Sequence, residues 1–143
     1  VQWSQLKGRK VVSTATADNV GKVSGFVLDP ATRSVVALVL KKTESGSVVR
    51  WGDLLAVGTD AVTVADTTVI VEPDETLEAL AGKRGAVLKK LVLDDAGQAL
   101  GKVTDLDLDP DTGSLRELLL DGRTVTGDRL LGVGSYAVVV RTD

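Results

Sequence analysis

The fold turns on two stretches of this chain: GKVSGFVLDPATRSVVALVL, Gly21 to Leu40, and GKVTDLDLDPDTGSLRELLL, Gly101 to Leu120. Aligned at an offset of 80, they are identical at ten of twenty positions, so the chain contains a repeat. A second pair supports it. DLLAVGTDAVTV, Asp53 to Val64, matches RLLGVGSYAVVV, Arg129 to Val140, at an offset of 76, with seven of twelve positions identical. The change of offset is a four-residue shortening at a turn, where Asp121-Gly122 signals a tight hairpin and the first copy has the longer KKTESGSVV. Before Gly101 the second copy is longer. Leu6-x-Gly8 aligns with Leu80-x-Gly82 at an offset of 74, which implies a longer hairpin around Asp94-Asp95-Ala96-Gly97.

Within the first copy, short Val-rich runs separated by turn residues predict strands over Val11–Ala15, Val23–Leu28, Val35–Lys41, Val48–Trp51 and Val62–Ala65. EPDETLEALAGK, between the copies, predicts a helix with Pro73 as first helical residue and Gly82 at its end. Its Leu77 and Leu80 would share a face. The resulting organisation is a first repeat over 1–66, a linker over 67–79 and a second repeat over 80–143. The fold class is all-β, with two small barrels joined by a partly helical linker.

Composition narrows the chemistry. The chain of 143 residues has no His and no Cys, which removes the common general base, Ser-His and Cys-His nucleophiles, and the usual zinc ligand sets. No disulfide calls for an oxidising compartment. A net charge of −3 weighs against a whole-surface nucleic-acid binder, though a local patch remains open. No apolar run is long enough to span a bilayer and no signal-peptide pattern opens the chain. Without any Met, residues preceding Val1 are expected in the gene product.

The order L-x-G, G-x-V, D-P-x-T, then G-D-L-L and V-G resembles the PRC-barrel family, in two copies over Leu6 to Ala65 and Leu80 to Val140. That is the small β-barrel found in the cytoplasmic part of the photosynthetic reaction-centre H subunit and in the C-terminal domain of a ribosome maturation factor. The resemblance implies a fold, and it implies binding rather than catalysis. The expected function is a non-enzymatic, cytoplasmic scaffold or adaptor for protein partners, with self-assembly into an oligomer a further expectation. The alternative is a ribosome- or RNA-associated assembly factor. No cofactor and no catalytic residues are expected.

Three features are candidate sites. Asp105, Asp107, Asp109 and Asp111 form an acidic ladder, but neither register fits a calcium loop. Asp109-Pro110-x-Thr112 matches the turn Asp29-Pro30-x-Thr32, so a polar strand running into a turn is the better account, with a weak cation site as the alternative. Val27, Val36 and Ala37 make SVVALVL apolar on both faces, where the second copy has Asp107, Arg116 and Glu117. Such a strand needs a cover: either the other repeat or another protein. Basic residues cluster at Lys7, Arg9 and Lys10, and at Lys83, Arg84, Lys89 and Lys90. They read as solvated strand ends, or as one patch for RNA or an acidic protein.

Overall fold

The computed structural model describes residues 1–82 and 86–143. The first repeat comprises α1 (Trp3–Leu6), β1 (Lys10–Ser13), β2 (Asn19–Asp29), β3 (Ser34–Lys41), β4 (Val48–Arg50), β5 (Leu54–Val57) and β6 (Ala61–Val64). β7 (Ile70–Val71) and α2 (Glu75–Leu80) follow, and then the second repeat: β8 (Leu91–Asp94), β9 (Ala99–Leu108), β10 (Leu115–Leu120), β11 (Arg123–Thr126), β12 (Leu130–Val133) and β13 (Ala137–Val140). The five strands expected in the first copy are present. Two more, β5 and β7, were not foreseen.

One sheet has the order β5-β6-β1-β2-β3-β4-β7 and the other β11-β10-β9-β8-β13-β12. Apart from β7 the orders are the same, and each sheet contains one parallel pair, β1 with β6 and β8 with β13. The expected barrels are therefore two open sheets. Their edges are β5 and β7 in the first, β11 and β12 in the second.

Local chemistry makes the two copies bend alike. Asp29 Oδ1 accepts the Ala31 amide at 2.9 Å and Asp109 Oδ1 the Asp111 amide at 2.8 Å, so each Asp-Pro turn is closed by its own carboxylate. Both turns then pass through the left-handed region before the next strand, and Arg33 (φ 53) and Gly113 (φ 77) occupy equivalent positions there. At α2 the first helical residue is not Pro73. Asp74 is the cap, its side chain accepting the Leu77 amide at 2.9 Å, and Pro73 lies just outside.

A pseudo-twofold axis runs between the copies at Ser34 and Ser114, which form an antiparallel bridge. On either side of it Val35 N–H donates to Gly113 O (2.8 Å) and Leu115 N–H to Arg33 O (2.9 Å). The N-terminal arm crosses over: Leu108 N–H donates to Val1 O at 2.8 Å, and α1 packs on β9. Trp3, buried in this arm, meets Phe26 of β2 edge-on with centroids 4.8 Å apart. One continuous core results, from Trp3 and Leu6 through Trp51 to Val140. A lone repeat of about 60 residues would bury a marginal core, so sharing it stabilises both.

Candidate interaction surfaces

The apolar face of the first repeat is covered by its own chain. Val27 and Ala37 are buried in a cluster with Val48 and Leu77, while Val36, Val39 and Leu80 pack around it. Among the described residues the opposite repeat, one of the two expected covers, does not occupy this face. The linker does, by two devices. β7 adds an antiparallel strand to β4, pairing Val71 with Val48 and Ile70 with Val49. α2 then lays Leu77 over the cluster, and an ion pair between Arg50 and Asp74 closes the edge. The Leu77 amide holds the Asp74 carboxyl below its ordinary pKa.

In the second repeat the matching positions are Asp107, Arg116, Glu117 and Thr124; Asp107 is half-buried beside the N-terminal arm, whose Gln2 bridges to it, while among the described residues no strand pairs with the outer side of Thr124. Arg116 and Thr124 are exposed and Glu117 is half-buried, which suits their polarity. The outer edge of β11 is open where that of β4 is paired. Its ladder to β10 runs from Glu117 opposite Thr126 to Leu120 opposite Arg123 without a bulge. Of the other sheet edges, β5 and β12 are bulged between Leu54 and Ala56 and between Leu130 and Gly132. Each bulge turns a leucine outward, leaving Leu55 57% and Leu131 49% exposed.

The acidic ladder is mostly occupied by its own chain. Asp105 accepts the Ser4 amide (3.0 Å) and the Ser4 hydroxyl (2.5 Å), which anchors α1. Asp109 closes its turn, and the Asp111 amide depresses its pKa. Asp111 is exposed. Among the described residues no group of three or more acidic side chains is placed to hold a metal ion.

The basic residues divide. Lys83 and Arg84 lie outside the described residues. Lys90 Nζ donates to Gly134 O at 2.7 Å, and partial burial lowers its pKa. Arg9 does the equivalent work in the first copy, donating to Gly58 O at 2.5 Å and to Gln5 O at 3.1 Å. Both therefore pin the Val-Gly turn of their own repeat. Lys89 is in the left-handed region (φ 66), its amide bonded to Val103 O, just as Gly8 (φ 87) bonds Val23 O. Hence Gly8 corresponds to Lys89 at an offset of 81, and the pairing of Leu6 and Gly8 with Leu80 and Gly82 is corrected. Leu80 belongs to α2. The lysine that replaces glycine at this bend hid the true register.

Two open sheets of one strand order, each with a single parallel pair and an Asp-Pro turn, meeting about a pseudo-twofold axis, define a tandem all-β protein of small barrel-like domains. The family model of the PRC-barrel domain matches residues 1–78 and 87–143. The chain belongs to the PRC-barrel family and carries the domain twice. No curated protein matches it. PRC-barrel domains are found in protein-interaction and assembly roles. Among the described residues no helix is long and apolar enough to cross a membrane.

Proposed function

We propose that the chain is a non-enzymatic, cytoplasmic protein-interaction scaffold whose binding edge is β11. The observation that carries this is the unequal treatment of two equivalent edges: β7 pairs with the outer edge of β4, and nothing among the described residues pairs with the outer edge of β11. In a two-residue hairpin the pair that closes the turn exchanges both hydrogen bonds, so Thr124 and Thr126 aim their backbone polar groups outward. An extended segment of another protein, added as β7 is added to β4, satisfies them. On this face such a strand lies beside Thr124 and Thr126, with Glu117 one strand further in, opposite Thr126, and Asp107 beyond it.

Thr124→Pro tests this, because proline removes an outward N–H and is tolerated on edge strands. Tagged wild-type, Thr124→Pro and Leu55→Ser chains are used to capture proteins from host lysate, with and without ribonuclease. A ribonuclease-resistant protein lost with Thr124→Pro and kept with Leu55→Ser supports the reading. If the captured partner is a second copy of the chain, the same loss appears as a fall in solution mass. Ribosomal proteins released by ribonuclease and indifferent to Thr124→Pro would overturn it in favour of an RNA-associated assembly factor.

A further inference from the structure

A second feature distinguishes the repeats and points to a different ligand. Lys10 of β1 lies directly opposite Lys22 of β2, and Lys22 directly opposite Lys41 of β3. Directly opposed residues of antiparallel strands project from the same face, so three ammonium groups stand in one row, an arrangement that costs stability. Lys10, Lys22 and Lys42 together line a cleft of ≈ 220 Å³ with Gly8, Gly21 and Asn19. None of these lysines forms an ion pair among the described residues. Asn19 Oδ1 already accepts the Gly21 amide at 3.2 Å, which leaves the side-chain NH₂ as a donor. The side chains at this end of the cleft are thus all donors. The second repeat is the control. There Leu91 lies opposite Lys102, and Asp121, in the turn after β10, stands in the sequence position of Lys41, so the row of like charges is absent.

The cleft continues past Asn19 and Lys42 into a wider one of ≈ 520 Å³ lined also by Thr16, Asp18, Glu44 and Ser45. Its carboxylates and hydroxyls accept hydrogen bonds from hydroxyl groups and would repel a second anion. We infer that the first repeat binds a phosphoryl group between Lys10, Lys22 and Lys42, carried by a small hydroxylated molecule whose body lies toward Asp18 and Glu44. Compact ammonium groups suit a phosphate as point charges, and the repulsion between the opposed Lys10 and Lys22 is relieved when the anion is present.

The test is an amide chemical-shift titration of the whole chain with inorganic pyrophosphate, glucose 6-phosphate and glucose, and a separate sedimentation with phosphatidylglycerol vesicles. The expected result is saturable shifts at Gly8, Asn19, Gly21, Lys22 and Lys42 with both phosphates. Glucose alone gives none, and vesicles are bound no more than by Lys22→Glu. Lys22→Glu weakens pyrophosphate binding at least about tenfold, and Lys102→Glu leaves it unchanged. Because Lys22→Glu sets a carboxylate between Lys10 and Lys41, the same variant raises the melting temperature, so lost binding cannot be lost folding. Binding confined to vesicles would reassign the phosphoryl group to a lipid headgroup and overturn the small-molecule body. No saturable shift, or equal losses in Lys22→Glu and Lys102→Glu, would overturn the site.

Discussion

The two repeats share a backbone and differ in what lies on it. In the first, β7 and α2 seal the outer edge and face, and the residues beneath are Val27, Ala37 and Val48. In the second, the same positions are Asp107, Glu117 and Thr124, and the edge of β11 is open. A strand apolar on both faces is therefore not by itself evidence of a partner. A short cover from the same chain is enough, and the informative surface is the equivalent one that the cover leaves bare.

The largest effect should come from making the first repeat resemble the second where it is sealed. Val27→Asp places under α2 the carboxylate that the second repeat tolerates at Asp107. It should cost about 4 kcal/mol or more and unfold much of the protein, measured by urea denaturation. A folded Val27→Asp chain that merely stops associating would mean that α2 leaves this face in solution.

Next is the contact between the repeats, where the copies are complementary rather than alike. Gly113 is left-handed, and a Cβ there would stand 2.5 Å from Val35 O and 2.8 Å from the Trp51 ring. At the position matching Trp51 the second repeat has Gly127, and across from it Arg33 Nε donates to Leu130 O at 2.8 Å. Gly113→Ala should cost about 2 kcal/mol in the same denaturation experiment, whereas Arg33→Gly, which relieves a left-handed arginine, should cost less.

A smaller loss is expected for Asp74→Ala, which removes the cap of α2 and its pairing with Arg50. The carboxyl's pKa is lowered in the folded chain by the Leu77 amide, so its stabilisation is complete above the unfolded value of about 3.9 and is lost as pH falls through the folded value. Melting temperatures of wild type and variant should therefore differ at pH 7 and converge below about pH 4. The smallest effect belongs to Leu131→Ser, on an exposed bulge, within about 0.5 kcal/mol by thermal melting.

Much of this was legible in the sequence because the repeat supplied its own alignment. The offset of 80 placed the Asp-Pro turns and the long strands correctly, since both rest on residues identical in the two copies. The contrast of SVVALVL with SLRELLL marked a face of the first repeat that needs a cover, and Leu77 lies on it. What covers it was not legible. β7 is two residues long and α2 six, too short for periodicity to specify a partner, and only packing shows Leu77 over Val27 and Ala37. The lysine row was invisible for a related reason. Lys10, Lys22 and Lys41 are far apart in the chain and become neighbours only through strand register.

That β4 is sealed by the chain while β11 is open can be read from amide hydrogen exchange on the dilute, monomeric protein. The Ser47 amide, which donates to Val71 O at 3.1 Å, should be protected, and the Thr124 amide of β11 should exchange far faster. Equal protection at Thr124 in the monomer would show that the β11 edge is already covered, and the asymmetry between the repeats would then fall.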